Sequence, residues 1–328
     1  MRSYLTLEAL LQVKEEFALS MELEEVPYYR ALQENAWFTK PQINHRIQCI
    51  NNGLLKESAM KAFLASCKDN TNGKTIALIP SGNIPLSFAS DLICILLAGH
   101  NALVKPSSKD SVLTEFFIEL ICKHLPNRVL LKSDRISLFD ASIATGSDQA
   151  QPFFTQYFGK KPHVFRRNRR SVGILRGKEK KNDFEKLAED ILRYHGMGCR
   201  NIHHLIVPEE FPLDPIFEAC SSLYPELSEH LWKENHQYRY TISLMNKEVS
   251  FSDGWLTLRE VEDLNPPLTC VNVSRWKTEG DIHSFLKKHK NSLQTKVSKK
   301  LGNLGQAQNP SLLDYADGVD LAEFLSKL

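Results

Sequence analysis

An α/β fold on parallel sheets with crossover helices is what this sequence predicts, and three observations predict it. From residue 74 onward, short apolar runs of strand length alternate with apolar-periodic runs of helix length. Several of the strand-like runs end in glycine- or proline-bearing turns, where open parallel sheets carry their ligand loops. A charged break, "FRRNRRSVGILRGKEKK" (165–181), separates two such α/β stretches.

Residues 1–68 read as helices. Leu7, Leu10 and Leu11 recur at helical spacing, and Thr39 before Pro41 is an N-cap followed by a first-turn proline. "KTIALIP" (74–80) is a buried strand, "LSFASDLICILLAG" (86–99) a helix that stops at Gly99, and "NALVKP" (101–106) a second strand. An amphipathic helix over 109–125 precedes two more strands, "VLLK" and "SIATG" (142–146). Beyond "SVGIL", the second stretch has a helix over 182–195 and the strand "NIHHLIVP" (201–208). It continues with "VSFSDGWLTLREVEDLNPPLTCVNV", a helix over 278–290 and a short closing helix in 314–328.

The 328 residues suffice for two ordinary domains or one large one. With 41 basic and 39 acidic residues the net charge is +2, which calls for neither nucleic acid nor an acidic membrane as partner. No apolar run is long enough for a membrane span, and acids punctuate the first helix, unlike a secretory signal. Cysteines 49, 67, 94, 122, 199, 220 and 270 form an odd set without a CxxC pair, which suits a reducing, cytoplasmic setting.

Four constellations carry candidate chemistry. "IPSGNIP" runs into a helix and then a strand ending in Lys105-Pro106-Ser107-Ser108. Asn83 offers an amide donor and Lys105 a point charge at the sheet's C-terminal edge, or the two are a capping loop and a solvated lysine. Gly146-Ser147, with Asp148 behind, opens a helix either as a phosphate- or nicotinamide-approaching turn or as an ordinary N-cap. In "HGMGCRN" (195–201), Cys199 sits between a glycine and Arg200, as a reactive thiol or as a buried turn cysteine. His195 is a general-base candidate with no acidic partner nearby, and His203 and His204 point to opposite faces of a strand. The eight Lys/Arg residues of 166–181 are a solvated surface or a site for a phosphate-rich ligand. No GxGxxG is present.

Taken in order, these segments resemble the aldehyde dehydrogenase superfamily, and within it the acyl-CoA reductases of the LuxC fatty-acyl type. The resemblance covers roughly residues 76–318 and rests on five motifs. These are Asn83 with Pro85, Gly99 with Lys105-Pro106-Ser107, Thr145-Gly146-Ser147, Gly198-Cys199, and Glu262-Asp263-Leu264-Asn265-Pro266-Pro267.

The resemblance implies an aldehyde dehydrogenase-like architecture: a helical section and Rossmann-like NADP-binding domain over 1–170, a catalytic domain over 171–300 and a closing segment over 301–328. It implies Cys199 as nucleophile, Asn83 with the Cys199 N–H as oxyanion hole, and Lys105, Ser108, Gly146, Ser147 and Asp263 as cofactor-binding residues, with no metal. Its substrate is an acyl-CoA or acyl-carrier thioester, its cofactor NADP, and a homo-oligomer is among its assemblies. Superfamily members that hydrolyse the acyl-enzyme carry a Glu-Leu-Gly-Gly motif upstream of the cysteine; "SVGILRGKEKK" has none. Ser108 stands where NAD-preferring relatives often hold a glutamate, and losing that acid favours a 2′-phosphate. Aldehyde oxidation, a non-catalytic nucleotide-binding role and a cysteine acyltransferase are the alternatives.

Overall fold

The computed structural model describes residues 2–67, 73–132 and 136–328. The chain divides into two compact units, Met1–Asn168 with Asn309–Leu328, and Arg169–Gln308. Each is an α/β unit with its own parallel sheet, as the alternation of apolar patterns predicts.

The first unit begins with α1 (Arg2–Glu22), α2 (Tyr28–Glu34), α3 (Lys40–Cys49) and α4 (Glu57–Ser66). Leu7, Leu10, Val13 and Phe17 of α1 are buried, three or four residues apart and so on one face. Thr39 caps α3, its hydroxyl accepting from the Gln42 N–H at 3.4 Å, with Pro41 in the first turn.

The sheet elements follow: β1 (Thr75–Ile79), α5 (Ala89–Leu97), β2 (Asn101–Val104), α6 (Ser111–His124), β3 (Val129–Leu131), β4 (Ala141–Thr145), α7 (Gln151–Phe158) and β5 (His163–Arg166). The strand order is β3-β2-β1-β4-β5, and every pairing is parallel. The chain steps outward from β1 to β3, then returns to lie beside β1 as β4. This reversal is the kind of switch point at which open α/β sheets bind ligands.

The sequence pattern passes over β5, whose four residues include His163 and Arg166 and run into the charged break. The structure shows how it is buried: Arg166 is 8% exposed and its Nη1 donates to Asp91 Oδ2 on α5, itself 4% exposed. The tail returns to this unit. His100 is fully buried, accepts from the Lys74 N–H at Nδ1 (3.1 Å) and donates from Nε2 to the Leu325 carbonyl (3.0 Å) in the short helix Leu321–Ser326.

The second unit contains β6 (Arg170–Ile174), α8 (Lys181–Leu192), β7 (Ile202–Pro208), α9 (Asp214–Ser221), α10 (Glu229–Met245), β8 (Ser250–Ser252), β9 (Thr257–Arg259), β10 (Cys270–Trp276), α11 (Glu279–Lys288) and β11 (Leu293–Val297). Its order is β11-β6-β7-β10-β9-β8, parallel except for the β8–β9 pair. β7 is buried along six of its seven residues, which is why it reads as an apolar run rather than an alternation. The helix expected over 182–195 ends earlier, at Leu192, because Tyr194 (φ 54°) and His195 (φ 56°) are left-handed.

The buried Arg166–Asp91 pair sets a stability test. Asp91→Ala leaves a guanidinium buried without its carboxylate and is expected to cost about 3–5 kcal/mol, while Asp91→Ala with Arg166→Met costs less than the single change. Urea denaturation of the three variants at neutral pH measures the difference.

Candidate functional site

Register places three loops of the first unit side by side. Leu78 of β1 pairs with Val104 of β2, and Ile79 pairs with Ala144 of β4. The chain therefore leaves β1 toward Asn83, β2 toward Lys105 and Ser108, and β4 toward Gly146 and Ser147 from one sheet edge. Asn83, Lys105, Ser108 and Ser147 are exposed and Gly146 is half-buried.

Close approach explains two glycines. A Cβ on Gly82 would lie 2.3 Å from Ser107 Oγ, so only glycine lets the β1 and β2 loops pack against each other. A Cβ on Gly146 would lie 2.9 Å from the Phe154 ring. The Gly146 turn is tied to β5, since the Gly146 N–H (3.4 Å) and Gln151 Nε2 (3.0 Å) both donate to the Arg166 carbonyl. Beside it lies an open depression of about 630 Å³ lined by Asp148, Gln151, Pro152, Thr155, Gln156 and Arg167.

The β1 loop is braced by three side chains that no sequence motif marks. Asn35 Nδ2 donates to the carbonyls of Gly82 (3.2 Å) and Lys109 (3.1 Å). Arg46 Nη2 donates to the Leu86 carbonyl (3.1 Å), and the Leu86 N–H donates to Asp110 Oδ2 (2.7 Å). Leu86 is thereby held at φ 48°, a conformation that costs a non-glycine residue about 1–3 kcal/mol and persists only under such constraint. Burial pushes the Asp110 carboxyl well above the ordinary range.

Cys199 belongs to the second unit. It lies in the turn between α8 and β7, at the edge where β6 and β7 begin. The Ser171 hydroxyl donates to the Cys199 carbonyl at 2.9 Å and accepts from the Thr295 N–H at 3.2 Å. Asn201, fully buried, takes the Gly198 N–H on Oδ1 at 2.8 Å. Its Nδ2 donates to the carbonyls of Asp190 (3.2 Å), Ile191 (3.2 Å) and Arg193 (2.8 Å) at the end of α8. Cys199 itself is half-buried. Burial pushes the thiols of Cys67 and Cys270 up to about 11, and those of Cys94, Cys122 and Cys220 also upward, which keeps these five protonated and inert at neutral pH.

The neighbouring histidines are structural. His195 accepts from the Ser228 N–H at Nε2 (2.8 Å), and burial lowers its pKa to about 4. A ring held neutral with that lone pair engaged is not the base that "HGMGC" suggests. Arg170 Nη1 donates to His203 Nε2 (3.3 Å), and burial lowers His203 to about 3. His204 donates to the Asp263 carbonyl (2.8 Å), its other nitrogen meets Ser274 Oγ (2.9 Å), and burial lowers it to about 4.

Asp263 is exposed on the loop before β10, where its carbonyl also accepts from Asn272 Nδ2 at 2.9 Å. Asn265 on the same loop accepts from Arg170 Nε at 3.1 Å, which brings this loop to the edge that carries Cys199. The expected site residues thus form two groups: Asn83, Lys105, Ser108, Gly146 and Ser147 in the first unit, Cys199 and Asp263 in the second. Much of the basic run is committed internally: Arg166 to Asp91, Arg169 to the Leu293 carbonyl, Arg170 to Asn265 and His203, and Arg176 to Glu279.

No family model and no curated protein matches the sequence. Solved structures do match. A Mycobacterium tuberculosis aldehyde dehydrogenase complexed with NAD+ superposes with a TM-score of 0.66 at 13% identity, covering 91% of this chain and 78% of the other. An aldehyde dehydrogenase from Pseudomonas syringae, complexed with NAD+ and octanal, gives 0.66 at 12%, covering 94% and 75%. A salicylaldehyde dehydrogenase from Pseudomonas putida, complexed with salicylaldehyde, gives 0.67 at 10%, covering 94% and 75%. The fold is that of the aldehyde dehydrogenases.

The buried histidines predict how stability depends on pH. As pH falls below 6.5 the unfolded chain protonates His195, His203 and His204, whereas the folded chain waits until about 4, 3 and 4. Stability from these three is complete above 6.5 and declines as pH falls toward 4. Asp190, raised by burial to about 7, acts in the opposite sense between 7 and 3.8. Three groups outweigh one, so the second unit is expected to lose stability between pH 6.5 and 4. His195→Asn, which tolerates the left-handed backbone, should flatten that slope in denaturation series run at several pH values.

Proposed function

We propose that this chain is an NADPH-dependent acyl-CoA reductase working through a Cys199 acyl-enzyme. The observation that carries the reading is the built turn at Cys199. This thiol stands half-buried on a glycine-flanked turn whose carbonyl and preceding peptide are both pinned. The aldehyde dehydrogenase fold supports it, and so do the five motifs in their order.

The residues of the first unit fit a phosphorylated dinucleotide. Lys105 presents an exposed ammonium beside Ser108, so no carboxylate at position 108 repels a 2′-phosphate. Gly146 and Ser147 open toward the depression along α7, and Asp263 is the acidic residue that the resemblance assigns to the same ligand. When bound, NADPH supplies the hydride that takes the acyl group to the aldehyde.

The chain's own work is covalent. The Cys199 thiolate adds to the thioester carbonyl, the C–S bond to coenzyme A breaks, and the departing thiolate takes up a proton. The acyl group is then held on Cys199 Sγ. The Cys199 N–H and the Asn83 amide, the donors that the resemblance names, stabilise the oxyanion formed as the carbonyl is attacked.

A second reading, aldehyde oxidation, is favoured by the octanal and salicylaldehyde bound in two of the structural neighbours. Comparing aldehyde-dependent reduction of NADP+ with and without free coenzyme A separates a chain that exchanges its acyl group with a thiol from one that releases the acid. For the reductase reading, Cys199→Ala is expected to abolish acyl-CoA-dependent NADPH oxidation. Asn83→Ala should lower kcat about 10²–10³-fold with KM little changed. Turnover that survives Cys199→Ala sinks the mechanism.

A further inference from the structure

The backbone around Cys199 is over-determined in a way that helix capping alone does not require. Three consecutive residues before the turn, Tyr194, His195 and Gly196, are left-handed, at φ 54°, 56° and 66°. Two of them carry side chains, and both side chains are buried. A segment this unfavourable is held in place by its surroundings. Asn201 supplies much of that hold. Its two amide N–H groups are shared among three carbonyls at the end of α8, its Oδ1 accepts from the Gly198 N–H, and its own N–H donates to the Gly198 carbonyl at 3.0 Å. Ser171 completes the arrangement from β6 by fixing the Cys199 carbonyl.

We infer that Asn201 and Ser171 are positioning residues for the Cys199 nucleophile: Asn201 holds the Gly198 N–H and carbonyl on one side of it, and Ser171 holds its own carbonyl on the other. Asn201 locks the residue before the nucleophile to the rigid end of α8. Ser171 locks the residue itself to the sheet, because the same hydroxyl also accepts from Thr295 on β11. A substrate carbonyl needs attacking sulfur and oxyanion donor in one fixed relation, and neither peptide can rotate without breaking one of these hydrogen bonds. This rests on the reading of Cys199 as the nucleophile.

The test is the rate at which octanoyl-CoA acylates Cys199 in the full chain, followed by quenched intact mass across octanoyl-CoA concentrations. Iodoacetamide alkylation of Cys199 is measured alongside, because it needs no acyl-CoA recognition. Asn201→Ala and Ser171→Ala should each slow maximal acylation on the order of 10²-fold, with the half-saturating concentration unchanged. Ser171→Thr keeps the hydroxyl and should retain most of the rate. Ile216→Val, a core change on α9, should lower the melting temperature without slowing acylation.

If Asn201→Ala does not fold, Ser171→Ala carries the comparison. Folded variants that acylate and alkylate at the wild-type rate overturn the positioning role. Failure of the underlying reading looks different: the wild-type chain itself then gains no octanoyl mass at Cys199. In that case alkylation rates alone decide whether the turn is held as inferred, and equal rates overturn it.

Discussion

Parallel pairing of β1 with both β2 and β4 is the constraint on which the first unit's candidate site depends. In a parallel pair, neighbouring strands end at the same edge, so the loops after Ile79, Val104 and Thr145 cannot be scattered. Packing then limits what each loop can be. The β1 loop passes so close to Ser107 that position 82 excludes a side chain. Its far end is closed by a leucine whose N–H and carbonyl are both taken by buried ionisable groups. An exposed amide at Asn83 is thus carried on a loop with little freedom, although no residue of its own motif supplies the rigidity.

The second unit reaches the same end by another route. Its reactive candidate stands where strands begin, not at their C-terminal ends, so sheet topology alone does not locate it. The location comes from the way α8 stops. Tyr194 and His195 turn left-handed, Asn201 caps the carbonyls thus exposed, and its remaining acceptor draws in the Gly198 peptide. Helix termination and presentation of the cysteine are one event, and an asparagine is the side chain able to donate to the helix and accept from the turn at once.

How much of this is legible in the sequence follows from range. Periodicity marks β1, β2, β4, β7, α5, α6 and α8, because each is long or apolar enough to impose its own pattern. It passes over β5 and β11, short strands with charged residues, and over α10, where only Trp232, His236 and Ser243 are buried. Motifs point to Cys199, Asn83 and Gly146 because glycine and proline punctuate the chain locally. They give no sign of Asn35, Arg46, Asp110 or Ser171, whose partners lie between 24 and 124 residues away. Asn201 stands inside the quoted motif, yet its role depends on where α8 ends, and the helical pattern runs through to 195. His195 misleads for the same reason: its spacing from Cys199 suggests a base, and its burial removes one.

The ionisable groups beside the Cys199 turn bear on the proposed acyl-enzyme and on what would take up its acyl group. Hydrolysis requires a base to take the water's proton. His195 and His203 are both held neutral with Nε2 engaged, at pKa values near 4 and 3 that make weak bases. Asp190, although burial raises it to about 7, is itself buried, with its two carboxylate oxygens taken by the N–H groups of Gly305 (2.7 Å) and Ala307 (3.0 Å). Each of these groups is committed to holding backbone or side chains in place. For the acyl-enzyme proposed above, the two neutral histidines beside the turn offer little base to activate water, which supports transfer to a thiol or reduction by hydride over hydrolysis.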